Sequence, residues 1–325
     1  MDLFGLYRER GNDTMFTTPI LYIIFNRLET VKESLAVLKR IKPAVLYIAA
    51  DGHRADRIAE KKRCESVRDY VLKNIDWNCD IHTLFREKNL GCGRGPAEAI
   101  TWFFEHVDRG IILEDDCIAD ISFFTFCEEL LERYKDDLRV TEICGTNRLG
   151  SWCDTNHSSY YFSSYPSEWG WATWKRTWKQ YDFYAQEWKN PEAKKIIYNL
   201  FPKKYRFEKI SQWLDHTINY PDDLTWWDFQ WRFLQNIQSG LSIIPKNNMV
   251  RNIGFSADAT HTMEPNDPCA NLPVIPAEFP LKHPAYIARN WELDEALLTQ
   301  NIQRPNYALY YAKKIYRKIK SWYRK

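Results

Sequence analysis

Four strand-length apolar runs alternate with segments of helical period through residues 19–113, and this alternation constrains the fold more than any other feature. The runs are residues 19–25, 44–50, 79–85 and 111–113. Leu28, Val31, Leu35, Leu38 and Ile41 recur at helical spacing after the first. A charged helix over 56–74 follows the second run. A turn built on Gly91, Gly93 and Gly95 then leads into an apolar helix over 96–106. This β-α-β-α-β-α-β order predicts an α/β fold with a mostly parallel sheet and right-handed crossovers. The second half lacks clean alternation. A helix over 123–134, a strand over 140–144, a loop-rich stretch over 147–180, a helix over 226–237 and a strand over 241–244 are expected there.

The fourth run stops at Glu114-Asp115-Asp116. Three adjacent carboxylates repel one another, and a divalent cation would relieve that repulsion through the oxygen ligands that Mg²⁺ and Mn²⁺ prefer. The end of a strand is also where open α/β sheets bind ligands. The plainer alternative is a solvated acidic turn that caps the next helix through Asp120 or Ser122. The other strand ends are polar as well: Asn26-Arg27, Asp51-Gly52, and Arg86 with Lys88. In a parallel sheet they share one edge with the acids. Asp51 is placed to accept hydrogen bonds from a base or ribose, and Arg86, Lys88 or Arg94 to meet a diphosphate. Asp51-Gly52 also reads as an ordinary strand-ending turn.

Composition narrows the class. Hydrophobic residues make up 45% of the 325, aromatic residues 15%, with 14 Trp. That aromatic excess fits sugar stacking, an interface or a core. A net charge of +2 argues against a general nucleic-acid binder. The eight Cys are scattered without a Cys-x-x-Cys pair, which fits reduced thiols in a cytosolic protein rather than zinc or disulfides. No early apolar run has the length of a signal peptide or membrane span.

Two further residues carry candidate chemistry. Asp228 lies in Trp226-Trp227-Asp228-Phe229-Gln230-Trp231-Arg232. Flanking rings would raise its pKa and improve it as a proton acceptor, whereas the plainer reading pairs it with Arg232 along a helix surface. His261 is a metal or phosphate ligand if its loop folds over the site, and otherwise a structural histidine.

These motifs, in this order, resemble the GT-A nucleotide-sugar glycosyltransferases. The likeness is to bacterial family-two-like members related to the eukaryotic N-acetylglucosaminyltransferase that initiates complex N-glycans. It runs over residues 18–265 and rests on Ile111-Ile112-Leu113-Glu114-Asp115-Asp116, on Trp227-Asp228, and on Arg251-Asn252-Ile253-Gly254-Phe255. Phe25-Asn26-Arg27 and Asp51-Gly52 match the first two nucleotide-contacting strand ends. The resemblance implies a Rossmann-like, mostly parallel mixed sheet and a metal-dependent, inverting transfer from a UDP-sugar to a glycan hydroxyl. It implies that Asp116 ligates Mn²⁺ or Mg²⁺, with His261 as a further candidate. Glu114 and Asp115 would contact sugar and ribose, Asp51 the uracil, and Asp228 would be the catalytic base. Asn26, Arg27, Arg86 and Lys88 would complete the donor site. Trp169, Gly170, Trp171 and Trp227 would line the acceptor side. The relative's second acid after the base is Phe229 here.

Residues 1–17 are expected to form a disordered extension, 18–275 the transferase domain, and 276–325 a C-terminal extension. The last twenty residues interleave seven Lys and Arg with Tyr, Ile and Trp and contain no acid. Such a basic amphipathic helix suits an anionic membrane surface, each basic residue contributing about 1 kcal/mol. A solvated tail or a nucleic-acid arm are the alternatives. The expected protein is thus cytoplasmic, peripheral on the inner face of the plasma membrane, and elongates a glycan or lipid-linked glycan for a surface polysaccharide. Two other classes compete. A sugar-phosphate nucleotidyltransferase needs a glycine-rich basic loop after the first strand, which Asn26-Arg27-Leu28-Glu29 does not provide. A non-catalytic carbohydrate-binding protein leaves the three acids unexplained.

Overall fold

The computed structural model describes residues 16–255, 269–270 and 272–302. The first half alternates β1 (Ile20–Ile24), α1 (Leu28–Ile41), β2 (Val45–Ala50), α2 (Ile58–Asn74), β3 (Asp80–Phe85), α3 (Gly91–His106) and β4 (Arg109–Glu114). A short β5 (Cys117–Ala119) and α4 (Ile121–Arg133) follow. The second half holds β6 (Val140–Cys144), β7 (Tyr160–Ser163), β8 (Trp171–Trp174), α5 (Lys175–Trp178), α6 (Pro191–Leu200), α7 (Lys204–Asn219), α8 (Asp228–Ile237), β9 (Leu241–Pro245), β10 (Val250–Asn252) and α9 (Trp291–Asn301).

Eight strands form one sheet in the order β3-β2-β1-β4-β8-β6-β9-β7. The pairs β2–β3, β1–β2, β1–β4 and β6–β9 are parallel, whereas β4–β8, β6–β8 and β7–β9 are antiparallel. The sheet is therefore mixed and mostly parallel, as expected. The chain builds outward from β1 to β3 and then returns through α3 to β4 on the other side of β1. That reversal lies at the carboxyl ends of β1 and β4, the usual ligand position in such sheets.

Alternation along the strands feeds two faces. Ile20, Tyr22 and Ile24 of β1 join the core under α1, α2 and α4. Leu21 faces the opposite core with Ala97, Ile100 and Phe103 of α3. Trp171, Trp178, Trp227 and Trp231 are buried in that second core, with Trp171 5.7 Å from Trp227 and 5.5 Å from Trp231. Each such ring withdraws roughly 150–250 Å² from water at about 25 cal/mol per Å². Much of the aromatic excess thus goes into packing.

Several expectations are corrected. Strands β7 and β8 lie inside the stretch read as loop-rich. The helix expected from residue 96 begins at Gly91, because its first N–H groups find the Asp51 carboxylate at the end of β2. Phe16 is 1% exposed and bridges Pro43, so the packed structure reaches into the expected extension. Leu293 and Leu297 of α9 share a core with Tyr161 of β7, so residues up to 302 pack with the domain drawn to 275. The expected basic helix and His261 lie outside the described residues. No helix among the described residues is long and apolar enough to cross a membrane.

Candidate active site at the reversal of strand order

Glu114 ends β4 opposite Ile23 of β1, and the tight turn into β5 carries Asp115 and Asp116. β5 pairs with β10, which sets Asn252 opposite Cys117 and brings the Asn252 amide 3.4 Å from Asp116 Oδ1. Gly254 follows so closely that a Cβ there would lie 2.2 Å from Asp116 Oδ2. Asp115 and Asp116 are 3% and 8% exposed. Arg27, from the β1–α1 link, reaches both: its Nη2 is 2.5 Å from Asp115 Oδ1 and 2.8 Å from Asp116 Oδ2. The Phe25 N–H donates to Asp115 Oδ2.

The three acids thus have a source of relief besides the expected dication. A guanidinium already bridges two of them. The side chain of the third, Glu114, makes no hydrogen bond or ion pair among the described residues, and its carboxyl is pushed up to about 8. Burial is the main cause, with the charges of Asp116, Asp115 and Asp228 adding to it and Arg27 opposing. Asp115 is raised to about 6, by burial first, against the pull of Arg27. No three His, Cys, Asp or Glu side chains among the described residues are arranged to hold a metal ion. An ion here would need most of its ligands from a nucleotide's phosphates, with Glu114 as the uncommitted protein oxygen.

The rim residues expected to bind donor are engaged elsewhere. Asp51 accepts from the backbone N–H groups of Gly52, Leu90 and Gly91, all within 3.0 Å, and so anchors the start of α3. Its carboxyl is raised by burial and lowered by those N–H groups and Arg86. Asn26 donates to Glu60, a fully buried acid that also holds Arg54. Arg86 lies 3.5 Å from Glu98 and from the Gly95 carbonyl. Lys88 stays exposed.

Asp228 is the first residue of α8, where the helix's free N–H groups favour an anion. Its Oδ2 lies 3.1 Å from Arg232 Nη2, the pairing read as the plainer alternative. Arg232 also grips Glu168 with two parallel bonds of 2.8 and 2.7 Å. Burial and the Glu168 charge raise the Asp228 carboxyl, while Arg232 and Arg148 lower it. The Asp228 charge in turn raises Glu114, so Asp228 lies within electrostatic reach of the end of β4.

On the acceptor side only Trp169 remains partly exposed, stacked under the Arg148 guanidinium at 4.4 Å and edge-on to Phe255 at 5.6 Å. Trp171 and Trp227 are core residues. Gly170, at φ +64°, is a packing position: a Cβ would meet Val250 Cγ2 at 2.9 Å. Glu168 and Arg148 were not anticipated. Both flank features that had been noticed, Trp169-Gly170-Trp171 and the end of β6, but nothing in their spacing announces a shared cluster.

A comparison with protein-family models finds no match, and a comparison with curated proteins finds none. Among solved structures, the chain is similar to HddC from Yersinia pseudotuberculosis, with TM-score 0.31 and 9% identity over 49% of this chain and 77% of that one. It is similar to the 4-diphosphocytidyl-2C-methyl-D-erythritol synthase of Anaerococcus prevotii, with TM-score 0.27 and 10% identity over 49% and 72%. The inositol-1-phosphate CTP transferase of T. maritima gives TM-score 0.28 and 9% identity over 52% and 74%. Likeness at this level carries no argument about activity, and the architecture rests on its own topology.

Proposed function

We propose that this protein transfers a sugar from a nucleotide-sugar donor to an acceptor hydroxyl. The observation that carries the reading is the placement of Glu114 at the end of β4 and Asp228 at the start of α8, two partly buried carboxyls with raised proton affinity, the Asp228 charge reaching Glu114. Acids of raised proton affinity that cluster at a sheet's carboxyl edge favour a role in chemistry, although the buried structural Glu142 is raised too. In this reading Asp228 accepts the proton of the acceptor hydroxyl as its oxygen attacks the anomeric carbon. Arg27 keeps Asp115 and Asp116 in place beside the donor, and Glu114 hydrogen-bonds the sugar. A divalent cation shared with the diphosphate would stabilise charge on the leaving group. UDP as the nucleotide, a glycan or lipid-linked acceptor and attachment to an anionic membrane belong to the same proposal, the last resting on the basic C-terminal sequence alone.

The second reading is nucleotidyl transfer to a sugar phosphate, close to what the name of the inositol-1-phosphate CTP transferase of T. maritima states for that protein. Against it stands the link between β1 and α1. It is only Phe25-Asn26-Arg27, has no glycine, and its one cation is committed to two carboxylates. The products separate the readings. Incubation with UDP-sugars and a glycan acceptor should release UDP. Pyrophosphate released from a nucleoside triphosphate and a sugar 1-phosphate would establish the second reading instead. Neither product, with sugar still bound, would leave a carbohydrate-binding protein. Within the first reading, Asp228→Asn should lower turnover by about 10²–10⁴ with the fold intact, and near-normal turnover would remove Asp228 from the role of base.

A further inference from the structure

Arg232 is held more tightly than a helix-surface partner of Asp228 would need. Glu168 is 6% exposed and takes the guanidinium edge-on, with Nε on Oε1 and Nη2 on Oε2. The rings of Tyr165 and Phe229 lie 5.4 and 5.6 Å from the guanidinium carbon. A fork held by one carboxylate in two parallel bonds has a fixed plane. The Nη2 that completes this fork is also the atom 3.1 Å from Asp228 Oδ2. Beneath α8, the fully buried Glu142 accepts from Trp231 Nε1 at 2.6 Å and Gln235 Nε2 at 3.0 Å, which fixes the rotation of the helix that carries Asp228 and Arg232. A buried Arg–Glu pair alone gives little net stability. Adding a third, partly exposed carboxylate to it makes sense only if that carboxylate is the group being served.

We propose that Glu168 and Arg232 are positioning residues for Asp228: Glu168 fixes the guanidinium, and the guanidinium fixes the Asp228 carboxylate. The proposal rests on the reading of Asp228 as the base. The charged and titratable groups facing Asp228 are Arg232 on its own helix, Glu168 and Arg148 on the loops, Glu114 at the end of β4, and the Tyr181 hydroxyl. Glu168 raises the Asp228 carboxyl and Arg232 lowers it, so the two partners pull in opposite directions.

That opposition supplies the test. A base must be ionised, so the acid limb of the turnover profile follows the Asp228 carboxyl. Glu168→Gln removes a negative neighbour and should move the acid limb to lower pH. Arg232→Gln removes a positive neighbour and should move it to higher pH. Arg232→Lys keeps the charge but loses the fork. It should leave the limb in place and lower kcat by about 10- to 100-fold through misplacement, with KM unchanged. This milder variant also serves if Arg232→Gln does not fold. Carbon-13 NMR titration of the Asp228 carboxyl, assigned against Asp228→Asn, reads the same two shifts without any substrate. Opposite shifts in the two Gln variants support the proposal. Shifts of one sign, or none, overturn it even if the protein proves to be a transferase. Opposite shifts by NMR together with an active Asp228→Asn would instead overturn the base assignment and leave the coupling standing.

Discussion

Replacing Glu114 by Gln should stabilise the fold while removing the one uncommitted charge of the acidic cluster. The Glu114 carboxyl rises from its ordinary value of 4.5 to about 8 on folding, through burial first and then through the neighbouring acids. An acid raised in this way supports the native state only while protonated. Its contribution is present below about pH 4.5 and is lost as the pH climbs through 8. At about 1.36 kcal/mol per pH unit, the interval from 4.5 to 8 corresponds to about 5 kcal/mol, an upper bound because Asp115, Asp116 and Asp228 share the interaction. Gln has no such loss. Urea titrations at about pH 5 and about pH 9 read the difference as a change of midpoint at constant slope. Near-equality is expected at the lower pH, and a gain of about 2–5 kcal/mol for the variant at the higher. No gain at the higher pH, or the same gain at both, would show that Glu114 is solvated and that the electrostatic reading of the acidic cluster is wrong. Turnover should fall in the same variant, because the proposed hydrogen bond from Glu114 to the donor sugar is altered.

Three other expectations follow from the same cluster and its surroundings. Arg27→Met leaves Asp115 and Asp116 buried without a cation and should cost about 3–5 kcal/mol near neutral pH. The loss should shrink on acidification as Asp115 takes up its proton, and a loss independent of pH would show that Arg27 acts through packing. Manganese should give no heat of binding by calorimetry until UDP is present, because the protein alone does not gather three ligands; equal heats with and without UDP would refute that. Gly254→Ala would drive a methyl into Asp116 and should weaken donor binding at least as much as it lowers Tm, whereas unchanged donor affinity would place Gly254 outside the site.

The parallel half of the fold was legible because each signal there is local. Apolar runs of strand length stop at polar residues, and between them the helical spacing of α1 needs no partner to be recognised. The signals that failed depend on contacts distant in sequence. A run of three glycines reads as a turn until Asp51, some forty residues earlier, supplies the carboxylate that lets the helix start at Gly91. Trp171-Ala172-Thr173-Trp174 reads as loop because β8 is buried along its whole length and so shows no alternation of apolar and polar residues. Rings that suggested sugar stacking lie in the core instead. The acids at the end of β4 were visible, but their counter-ion was not. Arg27 sits eighty-eight residues from Asp115, and only the parallel pairing of β1 with β4 brings the two together.

The direction in which folding moves each acid separates fully compensated carboxylates from the others. Glu60 is fully buried yet lowered to about 2, by Arg54 above all, so its charge works for the fold. Glu295, held by Arg206 and Lys203, is lowered to about 2 as well. Asp51 is raised by burial, but three backbone N–H groups stabilise its ionised form, which marks it as an anchor. Glu114 has neither kind of partner, Asp115 remains raised beside Arg27, and Asp228 remains raised beside Arg232. Each of these three therefore costs the native state free energy near neutral pH. All three gather where the strand order reverses, the place such sheets use for ligands. Glu142, fully buried on β6 beneath α8, is raised to about 7 as well, by burial first, although Trp231 and Gln235 donate to it; what sets the three apart is raised proton affinity together with their shared place at the reversal of strand order.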